Sequence, residues 1–179
     1  QHQTWLYEYL AKGDYAKILK QFHRYDETAQ DLNISEKLDR LNLEQPIILF
    51  VGAFTAGKGV QTLICAMPEV LEKYPHAQLL IVGSGAYREV LESLVYALAN
   101  ADIKLFEYLA RRGFDLDSSD ETGPWDDILH YYKLPKNFQT LFGIGNRLAN
   151  QISFIGRCNH KQLAYIFPIA DIAVFPSVK

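Results

Sequence analysis

The sequence predicts an α/β fold built on a doubly wound parallel sheet, and three observations carry that expectation. The runs 47–52 and 78–83 are apolar apart from Gln78, as expected for strands covered on both faces. Each ends in a glycine-bearing turn and is followed by apolar residues at helical spacing, giving the order strand, helix, strand, helix that favours parallel strands joined by crossovers. The same texture returns at 152–156 and 172–176, after residues 100–150, where no strand pattern occurs.

Bulk properties narrow the function. A chain of 179 residues is long enough for one domain with a real core. Its charged fraction of 22% and its net charge of −3 do not argue for a nucleic-acid footprint, which would need a basic face. No apolar run approaches the ~20 residues that span a bilayer. The start, Gln1-His2-Gln3-Thr4-Trp5, is not a secretory leader and lacks an initiator Met, which suits a fragment or a processed form. Cys65 and Cys158 lie far apart in unrelated patterns and read as free thiols, consistent with a reducing cytoplasm.

Taken in order, residues 1–44 read as a helical or linker segment. Trp5 and Tyr9, then Ile18, Leu19 and Phe22, sit at helical spacing, with a break at Gly13-Asp14. Ser35 is expected to cap a short helix carrying Leu38 and Leu41. Residues 45–179 form the sheet domain. After the first strand, Val60, Leu63, Ile64, Met67, Leu71 and Tyr74 mark a helix, with a kink or restart expected at Pro68. Tyr87, Leu91, Leu94 and Leu98 mark a second, amphipathic helix. Residues 100–150 read as a helical insertion containing an acidic loop from Asp115 to Pro124. A helix with Leu163, Ile166 and Phe167 then leads to the last strand.

Three turns carry candidate chemistry. Gly52-Ala53-Phe54-Thr55-Ala56-Gly57-Lys58-Gly59 nearly matches the P-loop, but Gly59 stands where the magnesium-binding hydroxyl belongs. What survives is an anion site made from a flexible turn, a helix N-terminus and a lysine point charge. The plain alternative is a strand-to-helix turn with a surface lysine. Gly83-Ser84-Gly85 is weaker, since Tyr87-Arg88 follows in place of a third glycine. Gly156-Arg157 precedes a helix that Asn159 can cap. Two ligands, Cys158 and His160, are too few for a metal. His2, His23, His76 and His130 show no ligand spacing, and no Ser-His-Asp elbow is present.

At these residues the chain resembles the C-terminal, donor-binding half of a retaining GT-B glycosyltransferase of family 4, the glycosyl transferases group 1. The resemblance covers 45–99 and 150–178. It rests on Val51-Gly52-Ala53 with Lys58-Gly59-Val60, on Ile81-Val82-Gly83-Ser84-Gly85, on Phe154-Ile155-Gly156, and on Ala170-Asp171 through Pro176-Ser177. It implies a Rossmann-like sheet that binds a nucleotide-diphosphate sugar, used as donor substrate with no further cofactor or metal. Lys58 then stabilises the diphosphate leaving group during hexosyl transfer. Gly52, Gly57, Gly59, Gly83, Ser84, Gly85, Gly156, Arg157, Pro176 and Ser177 line the donor site.

Two departures follow. The family arginine is Ala53 here, and the glutamate pair expected after Pro-Ser lies beyond Lys179. The acceptor-binding N-terminal domain is also absent, so the chain reads as part of a larger, cytoplasmic protein. Any membrane contact would be made through that parent, and the piece alone is expected to be inactive. A nucleotide-sugar epimerase of the same architecture, or an α/β module that has lost donor binding, are the alternatives.

The strand at 172–176 is apolar on both sides and has one bare edge, a surface that recruits other chains. The isolated chain is therefore expected to self-associate or to be poorly soluble. Light scattering tests this, and a clean monomer would contradict it.

Overall fold

The computed structural model describes residues 2–13, 15, 31, 33–117 and 122–177, with backbone alone for 2–5. Its centre is a four-stranded parallel sheet in the order β3-β2-β1-β4. The strands are β1 (Ile47–Val51), β2 (Gln78–Val82), β3 (Ile152–Gly156) and β4 (Ile172–Ala173). The first three lie within a residue of the expected bounds. β4 is shorter than expected, although the Val174 amide still donates to the Leu49 carbonyl at 2.8 Å.

Side chains alternate between two apolar layers because successive strand residues point to opposite faces. Phe50, Leu79, Ile81, Ile152 and Phe154 enter one layer, and Ile47, Leu49, Leu80, Val82 and Ile155 the other. Ile155 faces the second layer by the same alternation, and a register shift at the end of β3 sets Val82 opposite Gly156. The first layer is coated by α1 (His2–Leu10), α3 (Val60–Lys73) and α4 (Arg88–Ala99). Further helices follow between β2 and β3: α5 (Ile103–Arg112), α6 (Asp126–Tyr132), α7 (Pro135–Gly143) and α8 (Asn146–Gln151). The second layer is coated by α2 (Ile34–Asp39), α9 (His160–Ile166) and the 3₁₀ turn Phe167–Ile169.

Several local expectations change. Pro68 neither breaks nor restarts α3, which runs unbroken from Val60 to Lys73. The side chain is buried there, and packing outweighs the missing amide bond. Ser35 is not a cap: Asn33 holds that position in α2 without a side-chain bond, and Ser35 lies inside the helix. The second stripe belongs to a helix buried nearly all round, because α1, α3, α5, α7 and α8 surround α4. Gly13 ends the first helix as expected, at φ 74°. The side chain of Trp5, with Ile18, Leu19 and Phe22, lies outside the described residues, as does His23. In the acidic loop, Gly113–Leu116 form a 3₁₀ turn.

Exposed apolar side chains gather at the β4 edge: Tyr165, Phe167, Ile172 and Phe175. Phe54, in the turn after β1, is fully buried. Phe54→Ala is expected to lower stability by about 3–5 kcal/mol. Phe175→Ala, at a position 65% exposed, should change it by no more than about 0.5 kcal/mol. Urea denaturation checks both, and equal losses would contradict the packing described.

Candidate functional site

The strand order reverses between β1 and β4, and such a reversal leaves a crevice outside the carboxyl ends where ligands bind. The glycine turn after β1 meets the segment after β4 at this point. Phe54 anchors the start of the turn: its amide donates to the Ser84 carbonyl at 2.8 Å, and its carbonyl accepts from the Tyr87 amide at 3.2 Å. Ala56–Lys58 then form a 3₁₀ turn that ends at Gly59, where φ is 70°. This left-handed junction favours glycine. Space requires it as well, since an added Cβ would sit 1.9 Å from the Pro176 carbonyl oxygen. Lys58, one residue earlier, is exposed.

A second grouping lies along the same edge. A cavity of about 270 Å³ is lined by Gly52, Ala53, Gly83, Ser84, Arg157 and Cys158, among others. Gly83 lets the turns after β1 and β2 touch, because a Cβ there would lie 1.8 Å from the Gly52 carbonyl oxygen. The Gly83 amide also donates to the Gly156 carbonyl at 2.9 Å, drawing in the turn after β3. Arg157 is exposed. Burial, and secondarily the charge of Asp31, push the Cys158 thiol up. Asn159 caps α9 in a reciprocal capping box with Gln162.

The residues singled out from sequence thus fall into two groups linked by the turn after β1. Gly52, Gly83, Ser84 and Arg157 line the cavity. Gly59 touches Pro176, with Gly57 and Lys58 just before it and exposed Ser177 just after Pro176. Lys58 is not among the residues that line this cavity. Gly85 is buried, with room for no side chain beside the Phe54 carbonyl, and it shapes the turn instead. Gly156 contributes its carbonyl from a buried position.

Sequence reasoning missed a charged cluster at the end of β3. Arg88 holds the Asp31 carboxylate in a bidentate pair at 3.0 and 2.8 Å, and Lys37 reaches the same carboxylate at 2.7 Å. Arg88 also bonds Glu92 at 3.0 Å, while Lys37 donates to the Phe154 carbonyl at 2.6 Å. The four-residue spacing of Arg88 and Glu92 was visible in the sequence. The partnership with Asp31 was not. Asp117 was also missed: its carboxylate accepts from the Ala56 amide at 2.7 Å.

Among the described residues, no group of three His, Cys, Asp or Glu side chains is placed to hold a metal. A polar cavity of about 290 Å³ lies between α2 and the start of β3, lined by Lys37, Arg40, Gln78 and Ser153 among others. None of the glycine-turn residues reaches it. Cys65 and Cys158 are free, and burial pushes the Cys65 thiol up to about 12.

Residues 33–112, which include β1, the lysine turn, β2 and α4, match the family model for glycosyl transferases group 1. The chain is 49% identical over 55 residues to an uncharacterized glycosyltransferase of Methanocaldococcus jannaschii, a match covering 31% of this chain and 14% of that protein. It is 39% identical over 67 residues to a GDP-mannose-dependent monoacylated alpha-(1-6)-phosphatidylinositol monomannoside mannosyltransferase of Corynebacterium glutamicum. That match covers 37% of this chain and 18% of the relative. The chain thus spans less than a fifth of either relative. Sucrose-phosphate synthase from Thermosynechococcus elongatus superposes with a TM-score of 0.38 at 22% identity, over 89% of this chain and 27% of that one.

Arg88→Ala would remove from the buried Glu92 and Asp31 carboxylates the guanidinium that bonds them both. A loss of about 3 kcal/mol in urea denaturation is expected. A loss below about 1 kcal/mol would show that Lys37 and solvent suffice.

Proposed function

We propose that the chain is the donor-binding part of a retaining, family 4 glycosyltransferase that moves a hexosyl group from a nucleotide-diphosphate sugar to an acceptor. The observation that carries this reading is the position of the lysine turn. It lies at the reversal of strand order, packed on Pro176, within the segment that matches the family model.

The chemistry follows from charge. When the bond between sugar and diphosphate breaks, negative charge grows on the leaving oxygen. A lysine ammonium and turn amides placed beforehand stabilise that charge, because they need little reorganisation. Ala53 offers no second cation, so Lys58 carries more of this task. A cavity of about 270 Å³ suits a base or ribose better than a whole nucleotide, and exposed Arg157 stands among its lining residues. In this reading the diphosphate extends from that cavity toward Lys58. One relative depends on GDP-mannose, which makes a guanosine-diphosphate sugar the first donor to try.

The acceptor site and the reaction as a whole belong, in this reading, to a longer parent protein acting in the cytoplasm. Among the described residues no helix is long and apolar enough to cross a membrane.

Donor titration and turnover in the parent protein test the proposal. Lys58→Ala is expected to cut turnover about a hundredfold, the usual size of a lost charge-stabilising group. Lys73→Ala, in the last turn of α3, should stay within about twofold, as surface substitutions do. Equal, small effects would leave Lys58 as a solvated side chain.

A further inference from the structure

Among the described residues, the segment between α4 and β3 bonds the lysine turn through Asp117, and that bond lands on a residue held at both ends. The Ala56 amide donates to Asp117 Oδ2 at 2.7 Å. The Ala56 carbonyl accepts from Gln61 Nε2 at 2.9 Å and from the Gly59 amide at 3.1 Å. Ala56 is fully buried and Gln61 is 1% exposed, so neither backbone group can turn to solvent. Thr55, at the N-cap of the turn, makes no side-chain capping bond. Asp117 supplies that cap from 61 residues further along the chain.

Asp117 is itself held in place. It directly follows the 3₁₀ turn Gly113–Leu116. The Gly113 carbonyl accepts from the Tyr87 hydroxyl at 2.7 Å, and that hydroxyl accepts from the Trp125 indole at 3.1 Å. Tyr87 also bonds the Phe54 carbonyl through its amide. One buried tyrosine therefore locks the segment carrying Asp117 to the base of the lysine turn.

We propose that Asp117 is a positioning residue for Lys58, and that presenting it is what the helices between α4 and β3 contribute to phosphate binding. This rests on the reading of Lys58 as the phosphate-facing lysine. Two effects of opposite sign meet in one side chain. As an acceptor, the carboxylate orders the turn before a ligand arrives, and preorganisation of that kind raises affinity. As a charge, it repels an incoming diphosphate. Asp117→Asn keeps an acceptor oxygen and drops the charge, whereas Asp117→Ala drops both. A residue that only supported the fold through this bond would lose affinity in D117A and gain none in D117N.

The test titrates the unchanged chain, K58A, D117A and D117N with inorganic pyrophosphate by calorimetry at low salt. Amide hydrogen exchange at Ala56–Gly59 is followed alongside. D117A is expected to bind about fivefold more weakly and to exchange about fivefold faster, the scale of a lost cap. D117N should bind about threefold tighter, the scale of one screened charge, with exchange near that of the unchanged chain. Unaltered affinity in D117A overturns the inference, as does a D117N variant weakened as much as D117A. If K58A leaves affinity unchanged, or if pyrophosphate does not bind at all, the phosphate reading falls and the inference falls with it.

Discussion

The structure depends on the seat of Phe54. Three parallel strands end at one edge, and their turns must close over the layer beneath without stranding backbone groups. Phe54 meets both demands. Its ring is fully buried and stands edge-on to Phe154 at 6.1 Å between centroids, linking the turn after β1 to strand β3. Its backbone bonds Ser84 and Tyr87, which ties in the turn of β2. The glycines at 83 and 85 follow from this seat, since each lies where a side chain would strike a carbonyl of the turn after β1. The same fixed base sets where Lys58 emerges.

A second constraint comes from α4. A helix surrounded by five others has no solvated face, yet this one carries Arg88, Glu89, Glu92 and Ser93 in buried positions. Buried charges are tolerated when they are paired and hydrogen-bonded. Arg88 pairs with Glu92 on its own helix and with Asp31 from the segment preceding β1, and Ser93 donates to the Glu89 carbonyl at 2.6 Å. The polar residues of α4 thus fasten the flanking segment to the sheet. Asp31 ends 2.6 Å from where a Gly156 side chain would begin, so the turn after β3 is shaped to receive it.

Among the described residues, few charged side chains are placed around the lysine turn. Ala53 is exposed and neutral, Arg157 lies in the neighbouring cavity lining, and the nearest bonded carboxylate belongs to Asp117. Backbone bonds set the geometry of the turn: the Phe54, Ala56 and Gly59 amides are all bonded. Backbone dipoles held by a rigid loop need no reorganisation when a charge approaches them.

The sequence by itself determined the α/β class, the first three strands to within a residue, and the glycine turns that follow them. Those features are local. Apolar runs of strand length, glycines after them and helical stripes are each legible within a few residues, because burial on both faces and backbone freedom are written at single positions. The capping role of Asn159 was legible for the same reason. What only the tertiary structure decided involves partners far apart in the chain. The Asp31–Arg88 pair spans 57 residues and the Asp117–Ala56 bond 61, and no periodicity encodes either. Likewise, Pro68 is accommodated and α4 is buried on every side because of what packs around them. Packing is a property of the assembled layers, and it overrides the local preferences from which Pro68 was expected to interrupt its helix.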